Sequence, residues 1–295
     1  MNVTILGATG KTGRAAAEAL LAAGIGVKAI ARSPQKLGEL AKKGATPVEG
    51  DVYDAATLTA SLRGSDAVYA MIPGNPTQPD LLGQYARAGQ SLAAAVRDSG
   101  VKRVVFLSSL GAERSSGVGP IVGLHGAEEL LKGIGGLDLL LLRPGYFYEN
   151  LYGSVGLIKG QGVNGGVTEP AAPMTMIAAR DIGVVAAEAL KKRDFSGVTV
   201  RELAGPRRLS MGEATQILGR AIGKPELPYV QFPDAGFIQG LVAAGFSEDA
   251  ARSFAEMGNA FNKGLVASQP GSQKVTTPTT FEAFADEFAR AYRAA

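Results

Sequence analysis

Apolar positions follow two rhythms along the first half of the chain. Short, mostly apolar runs stand at residues 3–6, 27–31, 46–49, 67–71, 104–107 and 137–142. They show little polar alternation, the mark of strands covered on both faces. Between them lie Ala- and Leu-rich stretches at 11–22, 34–42, 55–62, 81–99 and 122–132, which predict helices. Two helix starts carry their own signals. Ser33 before Pro34 places a cap ahead of a proline at the first helical position, and Asp54 is suited to cap the third helix. Alternation of strand and helix with short joins predicts an α/β fold: a doubly wound parallel sheet with right-handed crossovers. Ligands of such sheets sit outside the carboxyl ends of the strands, at the point where strand order reverses.

After about Asn150 the rhythm fails. Residues 153–173 are rich in Gly and Pro and read as loop. A helix near 180–192 and a strand near 198–204 return the chain to the sheet. Ser210-Met-Gly-Glu213 is a capping-box pattern ahead of a helix at 214–222. The remainder reads as helix and loop, with a last helix at about 280–293. The expected organisation is a Rossmann domain built from residues 1–149 plus about 175–204. A smaller, mostly helical unit, from 150–174 and 205–295, would bind substrate.

Composition removes several function classes. The 295 residues include no Cys and a single His, so disulfides, thiolate catalysis and Cys- or multi-His metal sites are excluded, and no metal is expected. A net charge of +3 without a long basic run argues against nucleic acid as a partner. No apolar stretch is long enough to span a bilayer, and the opening lacks a signal-peptide pattern, so a cytoplasmic protein is expected.

The first strand runs into Gly7-Ala-Thr-Gly10-Lys-Thr-Gly13, and a helix follows at once. A strand, a glycine turn and a helix start form the context of a dinucleotide fingerprint. Gly7 permits the sharp exit, Gly10 lets the backbone approach a pyrophosphate, and Gly13 permits close helix–strand packing. The helix N-terminus offers free N–H groups and its positive dipole end to phosphates. Thr9, Lys11 and Thr12 complete the loop. The glycine before Lys11 is too near for a Walker A loop. In NAD binders an acidic residue lies ~20 residues past the glycines and takes the ribose 2′-OH. Here Arg32 and Ser33 occupy that place, and an arginine suits a 2′-phosphate. The reading therefore favours NADP (as NADPH) over NAD. Asp51 and Val52, after the third strand, are candidates for the adenine edge; shaping a turn is their plainer alternative.

Several later stretches stand in order: 51–73 (DVYDAATLTASLRGSDAVYAMIP), 101–111 (VKRVVFLSSLG), His125-Gly-Ala-Glu-Glu129, 142–150 (LRPGYFYEN) and Ala179-Arg-Asp-Ile182. With the glycine loop they resemble the NmrA-like family of atypical short-chain dehydrogenases/reductases, and within it most nearly the NAD(P)H-dependent quinone oxidoreductases. The resemblance implies a nicotinamide dinucleotide in the cleft. By position it implies that Ile72, Pro73 and the loop 74–79 line the middle of the cofactor. It puts Ser108 and Ser109 near the nicotinamide, with Pro144, Tyr146 and Phe147 on its other side.

Ordinary short-chain dehydrogenases use Tyr-x-x-x-Lys, in which the lysine lowers the phenol's pKa for proton transfer. No tyrosine here has a lysine four residues on. In the corresponding helix stand His125 and Glu129, at i and i+4 on one face. Glu129 is placed to orient the His125 ring and favour its charged form, making this the candidate catalytic pair; a surface pair supporting the helix is the plainer alternative. Loss of the Tyr–Lys couple weakens alcohol–ketone chemistry but not quinone reduction, whose phenolate product is far less basic than an alkoxide. Positioning a flat substrate over the nicotinamide can then supply much of the rate. Tyr146, Phe147 and Tyr148 are candidates for an apolar wall. Two functions therefore fit. One is an NADPH-dependent oxidoreductase acting on an aromatic or quinone-like small molecule, with a homodimer as a candidate assembly. The other is a non-catalytic NADP-binding redox sensor.

Overall fold

The computed structural model describes all 295 residues. Six strands of the first half form as the apolar runs predict: β1 (Asn2–Ile5), β2 (Gly26–Ala31), β3 (Thr46–Glu49), β4 (Ala67–Ala70), β5 (Arg103–Leu107) and β6 (Asp138–Pro144). The helices between them are α1 (Lys11–Ala22), α2 (Gly38–Lys42), α3 (Ala55–Leu62), α4 (Leu81–Ser99) and α5 (Ile121–Lys132). Asp54 caps α3 through the amides of Ala56 and Thr57. The stretch 34–42 divides into a 3-10 turn, Pro34–Leu37, followed by the short α2. Ser33 is not a side-chain cap there; its hydroxyl donates to Gln35 instead.

Later in the chain come β7 (Tyr146–Phe147), a 3-10 turn at Tyr148–Ser154, α6 (Val155–Gln161), β8 (Asn164–Gly166) and β9 (Met176–Ile177). Then follow α7 (Ala179–Lys192), β10 (Val198–Ala204), α8 (Met211–Ala221), β11 (Tyr229–Gln231), α9 (Asp234–Ala243), α10 (Glu248–Asn262), β12 (Gln273–Thr276) and α11 (Phe281–Ala294). The capping box of Ser210 and Glu213 is complete. The segment 153–173, expected to be loop, contains α6 and β8. Local propensity is poor there, and packing decides the outcome. Ile158 is fully buried among Tyr148, Phe284 and Phe288, and β8 pairs with the distant β11.

The main sheet has eight strands in the order β12-β10-β6-β5-β4-β1-β2-β3, every pairing parallel. The eighth strand, β12, comes from residues expected to belong wholly to the smaller unit. Chain order reverses between β1 and β4, which opens the crevice at that point. One apolar layer lies between the sheet and α1 and α7, and a second between the sheet and α3, α4 and α5. A third, aromatic-rich core joins α8 and α11 to the segment after β7. Tyr148 is fully buried in it, edge-on to Phe281 at 5.1 Å, with its hydroxyl donating to the Thr279 carbonyl. It is thus core packing and not part of a cleft wall.

Candidate functional site

The glycine turn is as bare as its spacing predicts. Gly7 has φ +66°, a left-handed conformation that disfavours side chains. A Cβ on Gly13 would stand 2.4 Å from the Gly7 carbonyl oxygen, so α1 can begin this close to the turn only without a side chain. Gly10 is different. Its added Cβ would meet only the Gly7 oxygen, at 3.3 Å, and otherwise open space. Packing within the protein therefore does not account for a glycine there. α1 starts at Gly10 with no side-chain cap and no acidic residue in its first turn, which leaves its amides and dipole end available to an anion. α7 braces the helix from behind. Gly183 lies so near α1 that a Cβ would fall 2.3 Å from the Thr12 carbonyl oxygen.

The remaining dinucleotide candidates fall along the carboxyl edge of the sheet in strand order. Asp51 and Val52 follow β3, Arg32 and Ser33 follow β2, and the glycine loop follows β1. Ile72 and Pro73 follow β4, Ser108 and Ser109 follow β5, and Pro144 ends β6. Arg32 is exposed and forms no ion pair or hydrogen bond with the protein. The Asp51 carboxylate accepts from the Tyr53 amide at 3.1 Å, and the Tyr53 hydroxyl donates to the Pro73 carbonyl at 3.1 Å. Tyr53 therefore ties the β3 and β4 ends together; burial chiefly, and then Asp51, raises its pKa against smaller opposing effects of Arg87 and Arg32. Lys11 does not reach freely from the loop. Its ammonium rests 4.0 Å above the Tyr152 ring. Thr12 and Ile72 are buried, so their side chains pack within the fold.

Sequence reasoning missed the device that shapes the loop after β4. Gln84, buried at the start of α4, accepts from the Asn75 amide at 2.9 Å. Its amide nitrogen faces the carbonyls of Asn75, Gln78 and Pro79. The same loop is pinned from the smaller unit, because the Ser247 amide donates to the Pro76 carbonyl at 2.8 Å.

At the β5 and β6 ends the structure shows a second missed feature. Glu128, wholly buried on α5, accepts from the Ser108 hydroxyl at 2.6 Å. It is also gripped by Arg143 through two bonds, of 2.9 and 2.6 Å. Arg143 reaches on to Glu113 at 3.2 Å, and Glu113 accepts from Gln269. The Ser108 hydroxyl is therefore committed inward. Sequence reasoning assigned Glu128 no role; the crossing of α5 over the β6 end turns it inside.

His125 is half-buried on α5. Its Nδ1 lies 2.9 Å from the Ala112 carbonyl. A carbonyl only accepts, so Nδ1 carries the hydrogen and Nε2 is left open. Glu129 turns to Lys132 at 2.8 Å, which lowers its pKa, with His125 a smaller contributor. The ring is thus oriented by the Ala112 carbonyl and not by Glu129.

Tyr146 and Phe147 lie on β7, directly beyond β6, where alternate side chains take opposite faces. Phe147 packs against the layer beneath α1 and α7, while Tyr146 turns to the smaller unit, edge-on to Phe261 at 6.0 Å. The two therefore do not form one continuous wall.

Comparison with known proteins agrees with this architecture. Residues 1–285 match the NmrA-like family. The chain is 30% identical over 223 residues to a (4-alkanoyl-5-oxo-2,5-dihydrofuran-3-yl)methyl phosphate reductase of Streptomyces griseus, covering 76% of this chain and 74% of that protein. It is 28% identical to an NAD(P)H azoreductase of Xenophilus azovorans over 99% of this chain and 98% of that one. Among solved structures, an NADPH-dependent quinone oxidoreductase of Escherichia coli, complexed with NADPH, superposes with a TM-score of 0.78. Its identity is 24%, over 97% of this chain and 99% of that chain, and it shares the fold. With the glycine turn, the eight-strand parallel sheet and a family match along nearly its whole length, this chain belongs to the NmrA-like family.

Proposed function

We propose that the protein is an NADPH-dependent reductase of flat, conjugated acceptors such as quinones. The observation that carries this reading is the open Gly10 turn at the strand-order switch, with Arg32 standing unpaired at the end of the neighbouring strand. A bare turn suits a pyrophosphate, and a free guanidinium suits a 2′-phosphate. The residues present therefore fit NADPH. Relatives that reduce a dihydrofuranone, an azo compound and a quinone share one substrate trait, a flat π-system that accepts hydride readily.

When bound, NADPH supplies the hydride. Reduction of a quinone to a hydroquinone takes that hydride and one proton, with NADP⁺ as the other product. The chain's own part is to hold the acceptor and manage the proton. The Ser108–Glu128–Arg143 cluster fixes the ends of β5 and β6. His125, whose Nδ1 hydrogen is committed to the Ala112 carbonyl, delivers the proton only from its imidazolium form, in which Nε2 carries a second hydrogen to pass on directly or through water. The missing Tyr–Lys couple is tolerable because a phenolate leaves the reaction without a strong acid.

The same missing couple favours a second reading, a sensor that binds NADP without turnover. One assay separates the two. The protein is mixed with NADPH and either a naphthoquinone or an azo dye, and the nicotinamide absorbance is followed. Consumption above the protein-free rate supports the reductase. Tight NADPH binding with no consumption across both acceptor classes supports the sensor.

A further inference from the structure

Tyr146 presents a hydroxyl with no partner in the protein. The strand β7 fixes its backbone, with the Tyr146 amide donating to the Thr175 carbonyl at 2.8 Å. The Phe261 ring meets its own ring edge-on. Burial alone pushes the phenol up to about 12. Yet the hydroxyl forms no hydrogen bond, and it is not sealed into packed protein either. The hydroxyl therefore keeps its hydrogen free for a partner outside the protein, water or a ligand. Tyr229 lies near enough that a charge on Tyr146 would make it hold its proton more tightly. The Tyr229 hydroxyl donates to the Thr168 carbonyl at 3.0 Å, which leaves its oxygen only lone pairs to offer. Of the two phenols, Tyr146 alone has a hydrogen to give.

We infer that the Tyr146 hydroxyl donates a hydrogen bond to an acceptor atom of the substrate, a carbonyl oxygen or azo nitrogen, and so sets which flat molecules are held. This rests on the reductase reading and gives it a specificity-determining residue. Burial decides the kind of help given. A phenol that holds its proton to about 12 does not surrender it to a hydroquinone anion, so Tyr146 anchors the acceptor and the proton comes from elsewhere. Phe261 and Tyr229, both from the smaller unit, stand beside Tyr146, so the free hydroxyl lies where the two parts meet.

The test is a binding comparison on the NADP⁺-loaded protein with 1,4-naphthoquinone and naphthalene, molecules alike in ring area but differing in acceptor oxygens. Wild type is expected to prefer the quinone by tenfold or more. Tyr146→Phe should cut that preference about fivefold or more through the quinone's affinity, with naphthalene and NADP⁺ binding unchanged. Fluorotyrosine at position 146, a stronger donor of nearly the same shape, should tighten quinone binding and leave naphthalene alone; this arm stands even if Tyr146→Phe folds poorly. In turnover, Tyr146→Phe should raise KM more than it lowers kcat, and no phenol ionisation should appear in the wild-type pH profile up to pH 10. A preference that survives in Tyr146→Phe, or equal binding of both molecules by wild type, overturns the inference. Intact preference with no NADPH oxidation would sink the reductase reading instead and leave the anchor standing.

Discussion

Arg32→Ala offers the sharpest test of cofactor choice, because the residue is exposed at the end of β2 and bonds to nothing in the protein. Its removal strands no partner, so fold stability should move by no more than about 0.5 kcal/mol. Any larger effect must come through a ligand. A hydrogen bond to a charged group is worth about 1.5–3 kcal/mol, and solvent screening at this open position argues for the lower end. At 1.4 kcal/mol per factor of ten, NADPH should bind roughly ten- to thirtyfold more weakly. Ser33 offers little compensation while its hydroxyl is turned to Gln35 at 3.3 Å. NADH lacks the 2′-phosphate and should keep its affinity. Titration calorimetry with both nucleotides, at low and at moderate salt, reads all of this. The salt dependence of NADPH binding should shrink in the variant, since one phosphate contact is gone. Equal losses for NADPH and NADH would refute the assignment, as would an NADPH affinity that does not change.

Other expectations follow from neighbouring geometry. Gly10→Val should abolish nucleotide binding, read by fluorescence titration, while melting falls only slightly, because the added Cβ presses on one atom, the Gly7 oxygen at 3.3 Å, and otherwise meets open space. Gly13→Ala should do the reverse in part, lowering the melting temperature, since its Cβ would stand 2.4 Å from a backbone oxygen that cannot give. Glu128→Gln should cost about 3–5 kcal/mol by leaving the Arg143 charge buried and half-paired, while Glu128→Met with Arg143→Met together should melt higher than Glu128→Gln in a thermal scan. His125→Gln should lower kcat with a naphthoquinone about tenfold and leave NADPH affinity unchanged; an unaltered kcat would return His125 to a helix-surface role.

The sheet was legible in the sequence because a strand covered on both faces must be apolar throughout, and a short join between strand and helix leaves a parallel crossover as the ready solution. The glycine turn was legible for a related reason: positive φ and close approach demand residues without a Cβ, wherever the rest of the chain goes. Arg32 could be placed by counting, since its site depends on one strand–helix–strand unit. Other features rest on contacts between distant segments. Nothing in the run 155–161 marks α6, which forms because Ile158 finds an aromatic core assembled from the far end of the chain. β12 reads as polar loop and becomes a strand only because β10 offers an unpaired edge. Glu128 and Glu129 are identical neighbours in sequence. The helix's rotation on the sheet buries one against Arg143 and leaves the other in solvent beside Lys132. The same holds for the two aromatics of β7: composition marks both as apolar, but strand alternation sends Phe147 beneath α1 and Tyr146 to Phe261. Local steric rules thus determined the bare turn between β1 and α1. Which way Tyr146, Phe147 and Glu128 turn was decided by how distant parts of the chain close on each other, because those contacts have no local signature.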